Sequence, residues 1–553
     1  MFSPSPALEH PASSCPEAPV PESPVIGWLL GIAGSSGRIV LDRTAIDALA
    51  GHADPVLAAA GQVAMPVKIR RDDRWIIGSI RALSLDPSSD AAAIATEIDL
   101  MGEAMRHAET GEMLGFRRGV TSYPLPGATI HAISNAELAG IHANTDITTV
   151  RIGTVHPARS VAATLAVDAL LGRHFALLGS TGTGKSTATA MILHRICDLA
   201  PQGHIVMIDP HGEYGSAFPD SGAVHDVGNL RMPYWLMNFE EHCEILLTAG
   251  PADRQGDADI LARCLLAARM RNRAAQELPR VTVDTPIPYL LSDLTSLLAQ
   301  EMSKLERAGD SAPYLRLKTK IEELKGDPRY AFLFSGMLVA DTMASFLSRI
   351  LRMPSGGRPI SIIDVSGVPS DVTSVVVAVL ARMIFDHAIW SPPEERRPVL
   401  MVCEEAHRYI PARAEQESAV GRVLSRIAKE GRKYGVSLGL VTQRPSDLSE
   451  SVLSQCGTII AMRLNNERDQ AMVRAAMPEG GRGLLDTISA LRNREAILSG
   501  EGVTFPMRAS FDTLEEGKRP ASNDMRISAT WAIPARGEAA VADTVARWRT
   551  AGK

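Results

Sequence analysis

The sequence predicts an α/β protein: a largely parallel sheet covered by helices, preceded by a small β-barrel. Two rhythms and one junction predict it. Between about 25 and 142 the apolar stretches are short and broken by Gly, Asp and Pro (VIGWLLGIAG, GRIVL, QVAMPVKI, RWIIGSI), as short strands between turns should be. From about Arg151 to Ser510 strand-like runs alternate with helical stretches, the pattern of parallel strands joined by helices. At one such strand-to-helix junction the chain turns on three glycines and a lysine. Composition agrees with an ordinary globular chain. Of 553 residues 45% are apolar and 22% charged, which excludes a disordered, collagenous or membrane-embedded class.

In chain order, residues 1–24 are Pro- and Ser-rich, lack a basic start and read as a disordered leader, not a signal peptide. The barrel is expected over 25–150 and the α/β core over 151–520. Within the core the strand candidates are 175–179, 204–209, 359–365, 399–404, 436–442 and 458–463. The stretch 238–345 is rich in Leu, Ala and Arg and is expected to be a helical insertion, and 521–553 a short tail ending in an amphipathic helix. No apolar run is read as long enough to span a bilayer, so no membrane partner is expected. The six cysteines (Cys15, Cys197, Cys243, Cys264, Cys403, Cys456) form no CxxC pair and no metal-ligand spacing, which fits a reducing cytoplasm. The net charge of −6 argues against a chain whose whole surface grips nucleic acid, but it leaves room for local basic patches.

The glycine-rich junction carries the chemistry. Gly179, Ser180, Thr181, Gly182, Thr183, Gly184, Lys185 and Ser186 fit GxxxxGK(S/T) between the apolar strand FALL and the helical TATAMILHRICDL. Glycines let successive backbone N–H groups curl around a β-phosphate, and a helix N-terminus favours the anion. Lys185 would meet the β- and γ-phosphates and Ser186 would place its hydroxyl on Mg²⁺; Thr187 is counted with the nucleotide-binding set. The cofactors expected are therefore ATP and Mg²⁺.

A triphosphatase also needs carboxylates at a second strand end. The run Val399 to Cys403 supplies the strand and is followed by Glu404 and Glu405. Glu404 is assigned to the metal shell, directly or through its waters, and Glu405 to the general base. The strand ending Val441–Thr442–Gln443 should lie beside the phosphate-loop strand, placing Gln443 to sense the γ-phosphate or orient the water. Between these strands Arg422, Arg426, Lys429, Arg432 and Lys433 fall on a long helix that Gly435 should end. A DEAH-type helicase is the rival within the same fold, because EEAH resembles that box. The long interval from Lys185 to Glu405 and the lack of a QRxGRxGR motif count against it.

These pieces together resemble the HerA–FtsK superfamily of hexameric P-loop ATPases, specifically the bacterial HerA helicase/translocase proteins. The likeness runs from about residue 20 through HFALLGSTGTGKST, DPHGEY, MPYWLMNFEE, IIDVSGVPSDV, CEEAHRYIP, RIAKEGRKYGVSLGLVTQRPSDLSESVLSQCGT and RLNNERDQ, in the family's order. It implies a RecA-like core of the ASCE class. GVTSYPLPG and IDLMGE liken the front domain to the family's HAS barrel. By the resemblance Arg432 matches an arginine finger serving the adjacent subunit, and Arg173 matches a second nucleotide-coupled arginine. The family's usual metal-side Asp is Glu404 here, a longer carboxylate that keeps the charge. The roles of Asp209 and Glu213 are left open.

The function so implied is an ATP-hydrolysing homo-hexamer that moves double-stranded DNA through a central channel. It would work with a partner nuclease of NurA type, or a sirtuin-like or other effector, in DNA processing or phage defence. The alternative is a ring scaffold that assembles and regulates such an effector without processive translocation. Channel contacts are expected from Arg263, Arg269, Arg271 and Arg273 and from Arg316, Lys318 and Lys320.

Overall fold

The computed structural model describes residues 23–85, 93–143, 147–305, 311–334, 340–412, 418–477, 482–521, 527–534 and 537–551. All but the last two residues of the expected leader lie outside these. The chain divides into two compact units, 1–143 and 144–553.

The first unit is built on seven strands: β1 (Val25–Ala33), β2 (Ser36–Asp42), β3 (Pro66–Arg71), β4 (Arg74–Leu85), β5 (Ala93–Arg106), β6 (Met113–Arg118) and β7 (Thr129–Ala132). Their order is β2-β1-β7-β3-β4-β5-β6, and β2 also pairs with β5, so six strands close into a barrel and β6 hangs on β5. Closure removes the sheet edges. Alternate residues point inward, so Ile39 and Leu41 of β2, Val67 and Ile69 of β3, Ile76 and Ile80 of β4, and Ile98 and Leu100 of β5 fill one aliphatic core. Lys68, on the other face of β3, is also buried. Its ammonium lies 4.2 Å from the centre of the Trp75 ring and pairs with Glu137, so the charge is not left unmet.

The second unit holds an eleven-stranded sheet. Its strands are β8 (Thr149–Val155), β9 (Ala162–Ala166), β10 (His174–Leu178), β11 (Ile205–Asp209), β12 (Gly222–His225), β13 (Ile360–Asp364), β14 (Val399–Cys403), β15 (Val436–Thr442), β16 (Cys456–Met462), β17 (Glu495–Gly500) and β18 (Met507–Phe511). The order is β12-β13-β11-β14-β15-β10-β16-β17-β18-β8-β9. From β12 to β16 every neighbour is parallel; from β16 to β9 every neighbour is antiparallel. All six expected strands form, and the sequence reading missed the antiparallel extension. The central strands β10, β11, β14 and β15 are buried along their whole length, as helices on both faces require.

One expectation needs correction. The helix Ser370–Trp390 is long and apolar enough over Val372–Trp390 to cross a membrane by length and composition. Most of that span is buried inside the protein, with Val372, Val375, Val376 and Val379 fully enclosed, so it is a core helix. Between β12 and β13 the insertion contributes the helices Pro251–Met270, Leu291–Ser303 and Ala312–Gly326, which pack on one another. The first and third are tied by Asp257, buried, accepting two hydrogen bonds from Arg316 at 2.7 and 3.0 Å.

Candidate active site

β10 delivers the chain to the phosphate loop and the helix Lys185–Leu199 leads it away. Gly182 and Gly184, at φ 76° and 99°, make the left-handed bends that an L side chain would strain. Thr183 is buried and its hydroxyl donates to the Ser180 carbonyl at 2.8 Å, which pins the loop. Lys185 donates to the same carbonyl at 3.2 Å. Burial pulls the lysine below its ordinary value, and the charges of Glu404, Glu405 and Glu213 oppose that pull. Ser186 and Thr187 sit in the helix's first turn, half-buried.

The sheet order puts β15 between β10 and β14, with Thr442 opposite Leu178 and Cys403 opposite Leu440. The three strand ends therefore meet at one edge. A chain of hydrogen bonds crosses it: the Thr181 hydroxyl donates to Gln443 Oε1, and Gln443 Nε2 donates to Glu405 Oε1 at 2.9 Å. Glu405 sits at φ 51°, a left-handed position for a non-glycine residue just past a strand. Its other oxygen, Oε2, is buried and accepts no hydrogen bond. His407 Nδ1 stands 3.2 Å from that oxygen, but its hydrogen bond goes to the Thr442 hydroxyl at 2.9 Å. His407 is thus a satisfied histidine, held below its ordinary value by burial. A buried carboxylate oxygen with a free lone pair is what a water-activating base presents.

Glu404 accepts from the Tyr214 hydroxyl at 3.0 Å, and that hydroxyl also interacts with Ser186. Burial, reinforced by Glu405, pushes the Glu404 carboxyl up to about 8. The two candidate metal-holding groups, Ser186 and Glu404, thus share one neighbour, and the cradle of positive-φ glycines lies beside them. This donor set, a hydroxyl and a carboxylate at the head of a phosphate loop, fits Mg²⁺ with ATP, whose phosphate charge the ion would neutralise. Tyr214 was not anticipated as a site residue. Its approach depends on Asp209, whose carboxylate accepts from the backbone N–H groups of His211, Gly212 and Tyr214 at 2.9 to 3.2 Å and so folds DPHGEY into a compact turn. The Asp-Pro…Gly spacing was the available signal.

Two expected residues are not gathered here. Arg432 is exposed in the last turn of the helix Ala419–Tyr434, beside Lys429, Lys433 and Tyr434. That helix ends at Gly435, immediately before β15 begins, whereas Gln443 follows the end of β15. At about 3.3 Å per residue the strand sets Arg432 roughly 20 Å from the phosphate-loop edge of its own chain. Arg173 likewise precedes β10, at the same far edge, and pairs with Glu501. Among the expected channel residues, Arg269 is fully buried. It donates to the carbonyls of Met237 and Thr285, so it is a structural tie and not a surface contact. Arg316 holds Asp257 and Arg271 holds Asp293 at 2.6 Å. Arg263, Arg273 and Lys318 are exposed.

Fold and site together define a P-loop ATPase. Residues 150–384 match the family described as "Helicase HerA, central domain". The chain is 26% identical over 483 residues to the DNA double-strand break repair helicase HerA of Pyrococcus furiosus, covering 78% of this chain and 82% of that one. To the protein of that name from Sulfolobus acidocaldarius it is 27% identical over 414 residues, covering 74% and 77%. Among solved structures it is similar to VirB4 of Thermoanaerobacter pseudethanolicus, with 14% identity, a TM-score of 0.48, and coverage of 68% of this chain and 99% of that one. The chain is thus a P-loop ATPase that carries a match to the HerA central domain over residues 150–384 and is similar to HerA helicases over most of its length.

Proposed function

We propose that this ATPase works as a homo-hexameric ring that moves double-stranded DNA, with each ATP site shared by two subunits. The carrying observation is the split of the site. Glu405, Gln443, Thr181 and Lys185 converge at one edge of the sheet, and the exposed Arg432 is held at the other. A head-to-tail ring presents the second edge of one subunit to the first edge of the next. In that arrangement Lys185 and the loop N–H groups bind the phosphates, and Gln443 orients a water. The water oxygen bonds to the γ-phosphorus, its proton passes to Glu405 Oε2, and the bond to the β–γ bridging oxygen breaks to leave ADP and phosphate. Arg432 of the adjacent subunit stabilises the charge that develops, a contribution of roughly 10³-fold or more in such enzymes.

Channel contacts fall to the exposed Arg263, Arg273 and Lys318, as phosphate contacts that weaken with salt. The barrel, with Trp28 and Leu30 exposed on β1, is read as the docking module for an effector, a nuclease or other enzyme of DNA processing or phage defence. The five described cysteines are free, in keeping with a reducing cytoplasm. The test is ATP turnover by the purified chain alone, titrated with duplex DNA. Stimulation is expected, and flat turnover would favour a scaffold that only assembles an effector. Glu405→Gln should lower turnover by roughly 10² to 10⁴-fold with ATP binding kept. Undiminished hydrolysis by that variant would sink the site.

A further inference from the structure

The turn Leu491–Glu495, which leads from β16 towards β17, carries chemistry that the mechanism above does not use. The sheet order sets it on the flank of β10 away from β15 and β14. It is fastened to the phosphate loop from both sides. The Arg494 N–H donates to the Thr183 carbonyl at 3.0 Å, and the Ser180 N–H donates to the carbonyl of Arg463, just past β16, at 2.9 Å. The Arg463 guanidinium then returns to the turn, donating to the Leu491 carbonyl at 3.3 Å and to Asn493 Oδ1 at 3.0 Å. The turn is also locked from behind: the buried Glu495 carboxylate accepts from the Arg492 N–H at 2.8 Å and from Arg508 at 2.7 Å.

Inside this frame Arg494 has φ 67°. A left-handed backbone strains any residue with a Cβ and suits glycine, and such strain persists only where the surroundings over-determine the conformation, most often at functional sites. The side chain shows where that function lies. Its Cγ is 3.5 Å from the point where a Cβ on Gly184 would stand, so it crosses the last glycine of the phosphate loop. Its guanidinium is exposed, donates to the Thr513 hydroxyl at 2.6 Å and, among the described residues, pairs with no carboxylate.

We propose that Arg494 is a nucleotide-binding residue that holds the nucleoside end of ATP. The γ-phosphate end belongs to the flank of Gln443 and Glu405, so a nucleotide threaded through the loop presents its α-phosphate and base on the opposite flank, under Arg494. A planar cation serves both, pairing with the phosphate or lying on the purine face. This rests on the reading that the loop binds ATP.

The test uses the full chain and fluorescent ATP and ADP analogues. Arg494→Gly removes the guanidinium and relieves the backbone. ATP and ADP should weaken alike, by about tenfold, and KM should rise by more than kcat falls. The thermal midpoint without nucleotide should stay level or rise. A purely structural role would lower that midpoint and leave affinity unchanged; that pattern, or a loss confined to kcat, overturns the inference. Lys185→Ala separates the two claims. If it leaves nucleotide binding intact, the ATP site itself is wrong; if it abolishes binding while Arg494→Gly does not weaken it, only the role of Arg494 fails.

Discussion

The Tyr214 hydroxyl is fully enclosed and aimed at Glu404, a carboxylate that burial alone would keep protonated near neutrality. Its donated hydrogen bond favours the charged carboxylate, the form that a metal needs. Tyr214→Phe keeps the ring and its packing and removes only that donor. Turnover should fall by roughly tenfold or more, the scale of a hydrogen bond to a charged group, with a higher Mg²⁺ requirement and an unchanged near-ultraviolet circular dichroism spectrum. Unaltered Mg²⁺ dependence would show that Glu404 is oriented by something else. That the two glutamates and the lysine come together was foreseeable from the sequence, because phosphate chemistry asks for these residue types at fixed spacing next to a strand. Tyr214 was not, because its approach to Glu404 is made by Asp209 folding a loop on a neighbouring strand, and nothing local to Val399–Glu405 records that.

In the insertion, helices that look alike in composition have divided their cations between structure and surface. Asp257, Leu261, Leu265 and Arg269 follow one another at intervals of four along the helix Pro251–Met270, and all are buried. That periodicity was in the sequence, and it marks Arg269 as inward-facing, though a lone arginine on an apolar face reads at first as a solvated charge. Replacing Arg316 by Ala strands the buried Asp257 carboxylate, so it should lower the thermal midpoint by several degrees. Replacing Arg263, Arg273 and Lys318 together should leave the midpoint nearly unchanged and weaken duplex DNA binding, with a shallower salt dependence. Equal loss of DNA affinity in both variants would remove the distinction. The sheet shows the same limit of local reading. The parallel strands were visible as apolar runs before helices, whereas β17, β18, β8 and β9 are antiparallel, so no crossover helix marks them off. Strand β8 pairs with β18 from the far end of the unit, a partner no window of sequence contains.

At the scale of the molecule, the proposed ring divides each ATP site between two chains, because Arg432 stands at the far edge of the sheet from the phosphate loop of its own chain. A subunit carrying Lys185→Ala lacks a working phosphate loop but still offers Arg432; one carrying Arg432→Ala has a working loop but no finger to lend. Each variant alone should hydrolyse ATP at a small fraction of the wild-type rate. Mixed in equal amounts and allowed to exchange subunits, they should regain activity. Half of the loops are intact, and half of those face a neighbour with an intact Arg432, so random mixing restores up to about a quarter of the sites in a ring of heterologous contacts. Coupling between subunits would lower that figure without removing it. If the arginine acted within its own chain, every subunit in the mixture would still lack one group and no activity would return. The measurement is therefore ATP turnover against mixing ratio: a maximum near equal amounts is expected, and a flat line at the level of the single variants would place the whole site in one subunit, against the spacing that β15 imposes.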